Sequence, residues 1–132
     1  MPDKPAAKQG DRVVAVDTHV VMIPSPGGPV PTPTPMPFKG TLSGSLSANV
    51  IIENMAAATV GSTATNAPAH VPQGGPFQKP PSNQATVQTG TSKVLINDKA
   101  AAHHGDPAMT CNDPADAPNG KVIAVGKVLF GG

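Results

Sequence analysis

The sequence predicts an all-β domain of short hairpins and strands, and three observations point to it. Proline and glycine number 17 and 14 among 132 residues, and they punctuate the chain so closely that no long segment sustains a helical apolar period. The runs between them are short and rich in Val and Ile, bounded by clusters of Asn, Asp, Gly and Pro, as strands and turns are. A block is also duplicated. Copy one is Val50-Ile51-Ile52-Glu53-Asn54-Met55-Ala56-Ala57-Ala58-Thr59-Val60-Gly61. Copy two is Val94-Leu95-Ile96-Asn97-Asp98-Lys99-Ala100-Ala101-Ala102-His103-His104-Gly105-Asp106. The offset is a constant 44 residues, and Ala64 still matches Ala108.

Residues 1–11 are polar and read as a flexible tail before a single domain at 12–132, with repeat blocks at about 37–70 and 76–114. Arg12 to Ile23 is β-rich, with Val13–Val16 and His19–Ile23 as two strands around a bend at Asp17-Thr18. Pro24 to Pro37 cannot be a helix or a central strand, because proline lacks an N–H and has a fixed φ. Its alternating prolines predict an extended, polyproline-like segment, either a solvated linker or a strip pressed on the domain or a partner. Copy one predicts strands Asn49–Glu53 and Ala56–Val60 around a turn at Asn54-Met55. Copy two predicts Ser92–Asn97 and Ala100–His104 around Asp98-Lys99. Glu53-Asn54 and Asn97-Asp98 carry polar side chains suited to hairpin turns. Lys121–Val125 and Lys127–Phe130, joined through Gly126, close the chain.

Composition excludes several classes. With three Phe and no Trp or Tyr, the apolar residues are mostly small. Burial yields only about 25 cal/mol per Å², so a metal or a partner surface should supplement the core. Net charge is +1, and no basic run with interleaved aromatics occurs, which excludes nucleic acid as a partner. The first ten residues lack the apolar stretch of a signal peptide. No apolar run approaches the roughly 20 residues of a membrane span. Synthesis in the cytoplasm, with export by another route, is the expectation.

Cys111 is the lone cysteine, so no internal disulfide is possible. His103, His104 and Cys111 fall within nine residues, and mixed imidazole–thiolate sets suit zinc. Copy one has Thr59 and Val60 where copy two has His103 and His104. If apolar Val60 faces inward, His104 does too, and a buried imidazole needs a partner. Copy one has Ala67 in place of Cys111, so the site is single. The predicted ligands are His19, His70, His104 and Cys111, with His103 as the alternative to His104. Four ligands from distant segments would close the shell of a structural zinc and add folding energy. An enzyme is not expected: Glu53 is the only glutamate, no HExxH occurs, and no oxyanion or substrate motif accompanies a Cys111–His104 pair.

The stretch from Val94 to Asp106, followed by Cys111, resembles the V-x-I-N-G-K-P-A-A-R-x-G-D…C pattern of PAAR-domain and PAAR-like proteins. Asp17-Thr18-His19 resembles that family's early D-x-H element, and the likeness spans about residues 12–130. Ala100, His103 and Asp98 stand where the family has Pro, Arg and Gly. The resemblance implies a small cone of short β-hairpins. A structural zinc, held by three His and one Cys, would lie near the apex. The base would sit on a trimeric β-helical spike of the VgrG type, one tip per trimer. Such proteins sharpen the spike of type VI secretion systems and related extracellular contractile injection particles. They aid membrane puncture, contact the target membrane transiently, and in some cases carry effector cargo. The protein would then ride at the tip of the particle and be delivered outside the cell or into a target cell. No effector extension is expected after Gly132. The N- and C-terminal strands are expected to supply a third, pseudo-equivalent block. A free-standing adaptor that recruits effectors through the Pro-rich segment is the alternative, and a Cys/His-dependent toxin is a further one.

Overall fold

A computed structural model describes residues 4–113 and 115–131 of the chain. Among the described residues there is no helix. The strands are β1 (Lys4–Pro5), β2 (Arg12–Ile23), β3 (Val30–Gly44), β4 (Ile51–Ile52), β5 (Met55–Ala56), β6 (Thr63–Asn66), β7 (Gln84–Val87), β8 (Thr91–Ile96), β9 (Lys99–Ala101), β10 (Pro107–Thr110), β11 (Ala117–Ile123) and β12 (Leu129–Phe130). Six of them close a barrel in the order β10-β11-β2-β3-β6-β7. The other six form three two-stranded ribbons, β4-β5, β8-β9 and β1-β12.

The repeat is therefore threefold, and the two ends of the chain supply the third block, as expected. The third block is split between the chain's two ends: Lys4 pairs with Phe130 and Pro5 with Leu129, as Ile52 pairs with Met55 and Ile96 with Lys99. Residues 4–11, predicted as tail, are instead part of the fold and bring Ala6 and Ala7 into the core; residues 1–3 of that prediction lie outside the described residues. Ala6-Ala7, Ala57-Ala58 and Ala101-Ala102 are all at most 1% exposed. They form a ring of backbone hydrogen bonds: Ala58 N–H donates to Ala7 O, Ala102 N–H to Ala58 O and Ala7 N–H to Ala102 O, each at 3.0 Å. Three backbones meeting this closely leave room only for small side chains, which is why the invariant element of the three blocks is an alanine pair.

Each alanine pair runs into a turn with a positive-φ glycine: Gly10, Gly61 or Gly105, at 92, 94 and 89°. The next side chain closes the turn. Asp11, Ser62 and Asp106 accept the backbone N–H of Lys8, Thr59 and His103. From there β2, β6 and β10 enter the barrel, and β3, β7 and β11 return. Leu42, Val87 and Val122 accept the N–H of the three glycines and are at most 1% exposed. With Val13, Phe38, Ala64, Ala85 and Ala108 they make up the core. Apart from Phe38 and Leu42 it is built from Val, Ala and Cys111, in keeping with the composition.

Local details depart from the sequence reading. β2 has no bend at Asp17-Thr18, because β3 pairs with it continuously from Arg12↔Thr41 to Ile23↔Val30. The hairpin turns fall at Glu53-Asn54 and Asn97-Asp98, one residue earlier than predicted. All four residues have positive φ, from 49 to 69°, as a two-residue type I′ turn demands. The second half of the Pro-rich segment is a true strand. Pro31, Pro33, Pro35 and Pro37 stand opposite Met22, Val20, Thr18 and Val16. Thr18, Val20 and Met22 send their N–H groups to the far side of β2, to Asn112, Asp113 and Pro76. The prolines thus occupy the pairs in which neither strand bonds the other, where β3 needs no donor, and their outward edge offers none. Near the chain's end, the strand is Ala117–Ile123 rather than Lys121–Val125, and Leu129-Phe130 pairs with β1.

Candidate metal centre

The candidate site lies at the barrel end remote from the alanine ring, where β2 continues and the chain runs on past β6 and β10. Asp17 and His19 are two residues apart on β2, so their side chains leave one face of the strand. They are 0% and 1% exposed. His70 comes from the loop after β6. Asn83 anchors that loop: its Oδ1 accepts the His70 N–H at 2.9 Å and the Asn66 Nδ2 donor at 3.2 Å. Farther along, the loop lies against β2. Met22 N–H donates to Pro76 O, Gln78 N–H donates to Val20 O, and Phe77 bridges Val21. Gly75 permits this approach, since a Cβ there would come within 1.9 Å of Met22 O. Cys111 follows β10 directly. The next two residues hook onto β2, with Asn112 Oδ1 accepting Thr18 N–H at 2.7 Å and Asp113 Oδ2 accepting Val20 N–H at 2.9 Å.

The ligand atoms of Asp17, His19, His70 and Cys111 all lie within 4.8 Å of one another. Asp17 Oδ2 is 3.3 Å from His70 Nε2 and 3.5 Å from Cys111 Sγ, and Cys111 Sγ is 3.6 Å from His19 Nε2. Thr110 Oγ1 donates to the other carboxylate oxygen, Asp17 Oδ1. The imidazoles of His19 and His70 stand 4.8 Å apart, with Phe77 edge-on to His19 and Phe38 edge-on to His70.

The chemistry of this donor set fits a cation. Burial, then the Asp17 charge, pushes the Cys111 thiol up to about 11. Burial, then the neighbouring His70, lowers the basicity of His19. Such a neutral thiol beside a buried carboxylate is a costly arrangement for the protein alone. A divalent ion reverses both penalties by binding thiolate, carboxylate and neutral imidazole together. Two nitrogens, one sulfur and one oxygen supply four donors, enough for a tetrahedral shell. The buried Asp17/His19/His70/Cys111 cluster can thus hold a metal ion.

Of the predicted ligands, His19, His70 and Cys111 come together here and His104 does not. His104 belongs to the alanine ring: its N–H donates to Pro5 O, as Gln9 donates to Ala56 O and Val60 to Ala100 O, and its Nδ1 accepts Ala124 N–H. β10 then runs from ring to cluster at about 3.3 Å per residue, so closeness in sequence becomes distance in space. The inward-facing inference from Val60 also fails. Thr59 and His103 are the buried pair, at 4% and 3% exposure, because a turn replaces strand alternation there. His103 packs against Asp106, with Nδ1 2.6 Å from Oδ1, and is no part of the cluster.

Asp17 is the residue that sequence reasoning missed, having placed it in a bend. Its i, i+2 spacing to His19 on a β-rich run was the available signal. A second signal was the register of the repeat: His70 follows His19 by 51 residues, as Ala58 follows Ala7.

No family model, no curated protein and no solved structure matches this chain.

Proposed function

We propose that this protein is the structural tip of a contractile injection apparatus, of the type VI or extracellular kind. Its three-ribbon face would seat on a trimeric β-helical spike of the VgrG type, and a zinc ion would staple its far end. The observation that carries this reading is the pseudo-threefold face. β4-β5, β8-β9 and β12-β1 present Ile51, Leu95 and Leu129 at equivalent positions, 58, 67 and 52% exposed. Their chain neighbours Ile52, Ile96 and Phe130 point the other way and pack with Ala6, Ala57 and Ala101. An apolar trio repeated around an axis suits a partner with threefold symmetry, and one chain can then cap three.

The far end supports the piercing part of the reading. From Thr18 to Phe38, through the β2–β3 connection, the chain carries no Asp, Glu, Lys or Arg. The exposed edge of β3 offers no donor at its prolines, which blocks strand addition. Asp17 and His19 from the first unit, His70 from the second and Cys111 from the third would hold the ion. Zinc there would tie three units together at the end where β2 and two loops meet, a structural role with no catalytic step. Delivery with the particle, outside the cell or into a target cell, follows from the same reading.

Cargo attachment draws on a separate feature. A groove of about 540 Å³ runs between the Pro-rich edge and the His70 loop, lined by Pro35, Met36, Pro37, Pro68, Ala69 and Val71. This groove is also what favours the adaptor alternative.

The test is titration of the chain against the purified trimeric spike protein of its own apparatus. One chain should bind per trimer. Ile51→Asp, Leu95→Asp and Leu129→Asp should each weaken binding at least tenfold and leave the melting temperature unchanged. A wild-type chain that does not bind the spike overturns the proposal.

A further inference from the structure

We infer that Asp113 is the positioning residue of the metal centre. Resting on the metal reading above, the inference is that its carboxylate holds the His19 ring with the proton on Nδ1 and the bare Nε2 turned to the ion.

His19 Nε2 faces the cluster, 3.6 Å from Cys111 Sγ. The other ring nitrogen, Nδ1, is buried and has no hydrogen-bond partner among the described residues. A buried ring N–H without an acceptor is costly. The carboxylate facing it is Asp113, with Oδ2 at 3.7 Å and a side chain only 6% exposed. That oxygen is already fixed, because it accepts Val20 N–H at 2.9 Å, and Asp113 N–H in turn donates to Thr18 O at 2.8 Å. Asp113 is thus held to β2 on both sides of His19, at Thr18 and Val20. A shift of under about 1 Å brings the ring nitrogen into hydrogen-bond range. Metal-bound histidines generally donate their second N–H to a carboxylate or carbonyl, which fixes the tautomer and raises ligand basicity. Cys111, Asn112 and Asp113 then act as one clamp: the first supplies a donor atom, the second grips β2, and the third orients its histidine.

The informative variant is Asp113→Asn. Its amide oxygen can still accept Val20 N–H, but its NH₂ now faces His19 Nδ1 and favours the opposite tautomer, with the proton on the metal-facing nitrogen. Ring ¹⁵N shifts of the chelated protein should report Nδ1–H for the parent and Nε2–H for the variant. Competition of Zn²⁺ or Co²⁺ against a chromophoric chelator should show a loss of about 10–100-fold in affinity. The Co²⁺ spectrum should also shift. Asn112→Ala is the control: it removes the Thr18 contact and should lower the melting temperature without changing the tautomer. An unchanged tautomer in Asp113→Asn overturns the inference. So does an affinity loss that merely tracks melting temperature across both variants. A parent that binds no equivalent of Zn²⁺ or Co²⁺ overturns the metal reading instead, and the ¹⁵N shifts still decide how Asp113 orients His19.

Discussion

The Thr110 hydroxyl donates to Asp17 Oδ1 at 2.5 Å, and both residues are 0% exposed. That bond joins β10 to β2 across the barrel and leaves Oδ2 free to face the histidines and the cysteine. Thr110→Val keeps the shape and removes the donor. A buried carboxylate oxygen left without it should cost about 1–3 kcal/mol, measurable by urea unfolding with metal bound. No change in unfolding free energy would mean that Asp17 does not depend on this anchor.

Removing the ion should lower the melting temperature, and the ligand variants should separate. His19→Ala, His70→Ala, Asp17→Ala and Cys111→Ser should each lose stoichiometric zinc by elemental analysis. His104→Ala should retain it, because that side chain accepts the Ala124 N–H and lies outside the cluster. The expected stability cost for His104→Ala is about 1 kcal/mol. Zinc lost from His104→Ala and kept in Asp17→Ala would restore the ligand set predicted from sequence.

Deleting residues 1–11 should unfold the domain rather than trim it. Ala7 N–H and O are two of the six groups in the alanine ring, and with β1 removed β12 loses the strand it pairs with. Ala7→Val, Ala58→Val and Ala102→Val should each cost about 1–3 kcal/mol by overpacking, with similar values across the three. A truncated chain with the parent's circular dichroism and melting curve would defeat the threefold account.

Asp106 gives a pH dependence. Burial raises its carboxyl above the usual 3.8, against the opposing pull of the His103 backbone and ring. A raised acid favours folding while protonated. Its contribution is complete below the unfolded value and is lost as pH climbs through the folded one. Asp106→Asn preserves an acceptor for the His103 N–H and carries no charge. It should therefore be more stable than the parent at pH 7, with the gap closing as pH falls toward 3. Equal stability at both pH values would show that the buried charge carries no penalty.

His104 and Asp17 mark where sequence reading stops. Short Val- and Ile-rich runs, turn residues at Glu53-Asn54 and Asn97-Asp98, and the alanine blocks made the all-β class legible, because each is a local preference of the backbone. Three of the four clustered residues, His19, His70 and Cys111, were legible as scarce chemical types in a chain with four histidines and one cysteine. The third repeat was half legible. Its alanines, Ala6-Ala7, precede Gly10-Asp11 as Ala101-Ala102 precede Gly105-Asp106, but its strand partner lies at the opposite end of the chain.

The sequence by itself determined strand-forming segments, turn positions to within a residue, the small-residue core and most of the donor chemistry. These depend on φ preferences, side-chain size and atom type, which each residue carries with it. Only the tertiary structure decided which residues meet. β10 extends between His104 and Cys111 and separates them, while β2 and β10 bring Asp17 beside Cys111 across 94 residues of chain. Proximity in a barrel is set by strand register and closure, and no window of neighbouring residues contains either.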